Sequence, residues 1–224
     1  FGSIPTETDT LKQLELVETM VEKDYNALIV VPVDSTNLIP GLAKATAKGI
    51  PIINVDNPID LDKAKAAGAE IKTLIVSDRY RAGVLDGEFM AKELNHKGKI
   101  LVIRGVAGVL VEQLTYQGFK DVISKYPDME IVAEQPGDWD RLKAMNITQN
   151  VLEAHPDLDG IFCSNDNMAL GAAQAVKNAG KQGRVVIVGL DATDEAKEAI
   201  KQGLMSATVA QFPDVMGAMG IDAA

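Results

Sequence analysis

The sequence predicts an α/β protein built on parallel sheets covered by helices on both faces, and three observations lead there. Short Val- and Ile-rich runs alternate strictly with stretches that repeat apolar residues at helical spacing. The apolar runs are bounded by Gly, Pro, Asp and Asn, the residues that end strands and start turns. The runs number about nine, more than the ~4–6 strands usual in one sheet, so two doubly wound sheets fit better than one.

The elements follow in order. Thr10 to Lys23 carries Leu11, Leu14, Val17, Met20 and Val21 on one helical face. Asn26 to Val31 reads as a buried strand closed by Pro32. Asp34, Ser35 and Thr36 offer caps for a helix that reaches Lys48 and stops at Gly49. Pro51 to Val55 is the next strand, ended by Asp56-Asn-Pro58. A polar, Ala-rich connection from Ile59 to Glu70 leads to strand Thr73 to Val76. The second half repeats the cycle: helix Arg79 to Leu94, strand Lys99 to Ile103, helix Val111 to Lys125, strand Glu130 to Ala133, and a helix after Trp139. Strand Gly160 to Cys163 then precedes helix Asn167 to Ala179, and strand Val185 to Val188 precedes helix Ala192 to Lys201. A last strand, Ser206 to Ala210, leads into an apolar segment from Phe212 onward, where Met216 and Met219 read as a packing face.

Composition narrows the function. With 32 acidic against 22 basic residues the formal net charge is −10, which argues against nucleic acid or an anionic membrane as partner. No apolar run approaches the length of a membrane span. The single cysteine, Cys163, excludes an internal disulfide and a multi-cysteine metal cage, and reads as core packing. His96 and His155, both near helix ends, read as exposed structural residues. No nucleophile elbow, Walker loop or zinc-helix motif is present, and Gly105-Val-Ala-Gly108 is only a weak phosphate-cradle pattern. No cofactor and no metal are expected.

The polar residues at strand ends carry the functional reading. Pro136 and Gly137 close a strand and Asp138 is placed to cap the next helix. The only tryptophan, Trp139, therefore falls at the carboxyl end of a strand, where open α/β sheets hold ligands. A flat ligand wall and a loop residue folded over the core are both open readings of it. Asp56 with Asn57, Asn165 with Asp166, Asp191, and Gln211 occupy equivalent ends. Carboxylates accept, amides donate and accept, and an indole offers a flat apolar face, a set suited to a sugar. Each also has an ordinary alternative as a turn, cap or linker residue.

The runs Gln135-Pro-Gly-Asp-Trp-Asp-Arg141, Ser164-Asn-Asp-Asn-Met-Ala-Leu-Gly171, Val188-Gly-Leu-Asp191 and Ala207-Thr-Val-Ala-Gln211 resemble, in order and spacing, the bacterial periplasmic sugar-binding proteins of the ribose and allose type. Ile59-Asp-Leu-Asp62 and Thr208-Val-Ala-Gln211 are most similar to the allose-binding members. The resemblance implies a periplasmic binding protein type I fold, two doubly wound lobes joined by a hinge, formed by 1–77 with 211–224 and by 78–210. By matching positions Asp56, Trp139, Asn165, Asp191 and Gln211 line the cleft, with Asn57 as a weaker candidate. The family implies no catalysis, and a monomer in the periplasm whose leader is not present in this chain. Its implied partners are a monosaccharide, the membrane permease of an ATP-binding-cassette transporter and a chemoreceptor. Two departures stand out. Where many relatives place a sugar-binding arginine, this chain reads Val109-Leu-Val-Glu-Gln-Leu-Thr115, and Gln113 or Glu112 is the candidate substitute. The family also has one more strand and helix before residue 1 and continues past 224, so the first lobe is expected to be incomplete. The rival readings are the sugar-sensing effector domain of a lac-repressor-type regulator and an α/β enzyme using Asp191 or Asp56 as acid or base.

Overall fold

The structure, a computed structural model, describes residues 2–4, 9–23 and 25–224. The chain divides into two compact units: Phe1–Ser77, Val109–Val111 and Phe212–Ala224 form the first, and Asp78–Gly108 and Glu112–Gln211 the second. Among the described residues there are eight strands, each overlapping one of the eight runs placed in the sequence and close to the rough count of about nine.

In the first unit α1 (Thr10–Val21), β1 (Leu28–Val30), α2 (Ile39–Ala47), β2 (Ile52–Val55), α3 (Leu61–Ala66) and β3 (Thr73–Ile75) follow in sequence. The strands pair in parallel in the order β1-β2-β3. Alternation along β2 divides the core: Ile52 packs with Val17, Val21 and Leu42, whereas Ile53 and Val55 pack with Ile75 and Met216 on the other face. Met216 belongs to a final helix, Pro213–Asp222, into which the apolar segment folds, while Met219 on the same helix is 52% exposed. Only half of the expected methionine face is therefore packed.

The second unit holds α4 (Arg79–Glu93), β4 (Gly98–Arg104), α5 (Leu110–Ile123), β5 (Met129–Pro136), α6 (Arg141–Ala154), β6 (Gly160–Cys163), α7 (Asp166–Asn178), β7 (Val186–Asp191), α8 (Asp194–Lys201) and β8 (Ala207–Ala210), so the final helix is α9. All five strands are parallel, in the order β5-β4-β6-β7-β8. Ile100 and Val102 of β4 join Met90 and Phe119 on one face, while Leu101 and Ile103 join Val151 and Met168 on the other. This is the doubly wound arrangement that near-continuous apolar strands predict.

Several boundaries differ from the sequence reading, each for a local reason. Asp34 accepts from the Thr36 and Asn37 N–H groups in a turn of its own, so α2 starts later, at Ile39, with Pro40 in its first turn. The connection 59–70 contains α3, capped by Asp60 on the Lys63 N–H. β5 continues through Pro136, which an edge strand tolerates because its outer N–H has no partner to lose. The cap of α6 is Asp140, which accepts from Lys143 N–H; Asp138 is left-handed, with φ of 52°. His96 is exposed, with its ring tilted at 33° against Tyr126, and His155 is half-buried at the end of α6.

Candidate functional site

In the second unit the strand order reverses between β4 and β6: β5 is added on one side of β4, and every later strand on the other. The carboxyl ends on either side of such a reversal are where a doubly wound sheet opens a crevice. Arg104 and Gly105 stand at the end of β4, and Ser164 and Asn165 at the end of β6.

Trp139 reaches this point from the neighbouring strand. A bulge shapes its approach: Ile100 faces Ile131 and Leu101 faces Ala133, leaving Val132 as the extra residue that twists β5. Beyond Pro136 the chain turns through two left-handed residues, Asp138 and Trp139, at φ of 52° and 61°. The indole then lies on Gly105, where a Cβ would stand 2.0 Å from the ring. Asn167 fixes the turn by donating to the Trp139 carbonyl at 2.7 Å, and Lys143 pairs with Asp138. The ring is half-buried and packs against the core.

The other candidates fall as follows. Asn165 caps α7, its Oδ1 accepting the Met168 N–H at 2.9 Å. Asp191 is the last residue of β7, at φ of 126°, and its Oδ1 accepts the Gln211 side-chain amide. Gln211 follows β8, and its Oε1 is buried with no hydrogen-bond donor. The structure thus brings Asp191 and Gln211 together directly. Asp56 and Asn57 belong to the first unit. Asp56 follows β2 at φ of 65°, half-buried, with its N–H on the Ile75 carbonyl. Asn57 donates both amide hydrogens to the Pro32 and Val33 carbonyls, so only its Oδ1 is uncommitted, and it acts first as a loop brace. Asn54, a fully buried strand residue the sequence reading passed over, braces the same loop by accepting the Ile59 N–H at 2.8 Å and donating to the Asn57 carbonyl at 2.9 Å. Positive φ at non-glycine residues occurs at Asp56, Asp138, Trp139, Asp191 and Ala192 beside these strand ends, and also at Asn95 and His96 in the turn after α4.

Glu112 is not a free substitute for an arginine. It is buried, at 1% exposure, and takes the Arg104 guanidinium bidentately at 2.7 and 2.8 Å. Arg104 also pairs with Glu134 at 2.8 Å and lies over the Tyr116 ring at 4.1 Å. Hydrogen bonds from Arg104 hold Glu112 and Glu134 while raising the guanidinium's own pKa. Burial pushes the Glu134 carboxyl up, but the Tyr116 hydroxyl and Arg104 outweigh it and leave it below its ordinary value. Burial, reinforced by Glu134, lifts the Tyr116 hydroxyl. Gln113, next along α5, is exposed. Among the described residues no group of three metal-binding side chains occurs, and no helix is long and apolar enough to cross a membrane.

Comparison with known proteins identifies the family and the fold. A family model described as a periplasmic binding protein domain matches residues 2–224. The D-allose-binding periplasmic protein of Escherichia coli (strain K12) is 38% identical over 218 residues, 97% of this chain and 70% of that protein. A ribose import binding protein of the same organism is 32% identical, covering 99% of this chain and 72% of its own length. Among solved structures, an ABC transporter periplasmic solute-binding protein from Actinobacillus succinogenes with bound D-allose superposes with a TM-score of 0.91 at 38% identity, over 95% of this chain and 75% of that one. These relatives are solute-binding transport proteins and share the type I fold. The family model matches nearly the whole chain and the relatives are similar over the same span: the chain belongs to the periplasmic binding protein family.

Proposed function

We propose that the chain is the solute receptor of an ATP-binding-cassette importer, that it binds a monosaccharide of the allose or ribose kind, and that it makes and breaks no bond. The observation that carries this is the pairing of an apolar ring with polar ends at one edge of the second unit: Trp139 laid over Gly105 beside the β4/β6 reversal, with Asn165, Asp191 and Gln211 at the ends of β6, β7 and β8. A sugar ring has apolar C–H faces and a hydroxyl rim, and such a set meets both. The allose and ribose specificities of the relatives point to the same ligand class.

In this reading Trp139 stacks on the sugar, while Asp191, Gln211 and Asn165 take hydroxyls from the second unit and Asp56 takes them from the first. Asn57 and Gln113 contribute less, the one because its donors are spent and the other because it is exposed. Selectivity arises because each buried group left without a hydroxyl costs ~1–3 kcal/mol. The two units, 1–77 with 109–111 and 212–224, and 78–108 with 112–211, act as the two lobes, and bound ligand favours a closed state over an open one. The closed monomer is then presented in the periplasm to the permease and to a chemoreceptor.

The test is a calorimetric titration of the chain with D-allose, D-ribose, D-galactose and D-glucose, repeated with Trp139→Ala and Asp191→Ala. Saturable binding of one sugar, weakened about thirtyfold by either change, is the expected result. Equal heats from wild type and both variants would remove the assignment.

A further inference from the structure

Asp166 is the first residue of α7 and is fully buried, yet it does not cap its own helix; Asn165 does that. Its carboxylate reaches two other elements instead. Oδ2 accepts the Thr193 N–H at 2.8 Å and the Thr193 hydroxyl at 3.1 Å. Oδ1 accepts the Thr208 hydroxyl at 2.6 Å, and that same hydroxyl oxygen accepts the Ala192 N–H at 3.1 Å. Gly189 makes room for the group, since a Cβ there would stand 2.7 Å from Oδ1.

The amides held in this way belong to the two residues after Asp191. Asp191 and Ala192 are both left-handed, at φ of 126° and 55°, and a turn of non-glycine residues in that region persists only if its surroundings hold it. Here the Ala192 N–H is held through Thr208 and the Thr193 N–H directly, both ending on Asp166. From the other side the Gln211 amide donates to Asp191, and Gln211 lies three residues beyond Thr208, just past the end of the strand that Asp166 grips.

Resting on the sugar-receptor reading, we infer that Asp166 is a positioning residue: it clamps the 191–193 turn to β8 through Thr208 and so aims the Asp191 carboxylate and the Gln211 amide, without itself touching the sugar. Specificity at Asp191 then depends on a hydroxyl that lies outside the set of ligand groups.

Thr208→Val removes that hydroxyl at nearly constant shape, and Thr208→Ser keeps it. Both are made in the full chain and read in two ways, by calorimetry with D-allose and, without ligand, by amide hydrogen exchange at Ala192 and Thr193. Thr208→Val is expected to weaken D-allose about tenfold and Thr208→Ser less than about twofold, and the valine effect is expected to vanish in an Asp191→Ala background because it acts through that carboxylate. Exchange at Ala192 should quicken about tenfold in the valine variant alone. A valine penalty that persists without the Asp191 carboxylate, or an unchanged Ala192 exchange rate, overturns the inference. A wild-type chain that ignores D-allose while the valine variant alone exchanges quickly sinks the allose assignment and leaves the clamp standing.

Discussion

Trp139 combines a left-handed backbone with an indole ring that rests where any side chain on residue 105 would have to be. Gly105→Ala is therefore expected to act on a residue 34 positions away: the new methyl lifts the ring, the blue-shifted tryptophan emission of a half-buried indole moves to the red, and D-allose binding falls about tenfold. Emission spectra and calorimetry on the one variant check both, and an unshifted spectrum would show that the ring does not sit on residue 105. The sequence made Trp139 legible as a strand-end residue but not its seat. A glycine between Arg and Val reports that space is needed, and only the β4-β5 pairing says what fills it. Asn57 illustrates the converse. Its type and place fit a ligand group, yet its two donors are spent on the Pro32 and Val33 carbonyls, a choice fixed by loop geometry that no local pattern encodes.

At the scale of elements, α4 carries the least comfortable group in the chain. Asp86 is 1% exposed and neither of its carboxylate oxygens has a hydrogen-bond partner. Burial, with a smaller push from Asp166, lifts its pKa well above the ordinary 3.8. The folded chain thus holds the proton more tightly than the unfolded chain. Below about pH 4 both forms are protonated and nothing is lost; as pH rises further the unfolded chain releases its proton first, and stability declines until the folded carboxyl also ionises. Asp86→Asn removes that decline. Urea unfolding should show the variant equal to wild type near pH 4 and about 1–3 kcal/mol more stable near pH 7, whereas a gain independent of pH would rule out a titrating Asp86. The elements themselves were largely written in the sequence because each strand carries Val or Ile in a short apolar run and most helices start on an Asp, Asn or Thr cap. What escaped was short or interrupted. Only six residues long, α3 has too little periodicity to stand out, although Asp60 announces it. β7 runs on through Gly189, where the expected stop is occupied by the Asp166 carboxylate.

At the scale of the molecule, the two units differ in what they expose to measurement. The one tryptophan and the one cysteine both lie in the second unit, and the first has neither. Cys163 is fully buried in β6, next to Ile103 of β4, and burial together with Asp86 and Asp166 keeps its thiol protonated. A disulfide reagent therefore has no native thiolate to attack, and modification must wait for the five-stranded sheet to open. Labelling half-times for the native chain are expected to lengthen in step with the urea stability of that unit and to be indifferent to substitutions in the first, such as Leu42→Ala. The lone thiol in this way becomes a clock that times the openings of one half of the chain and takes no count of the other.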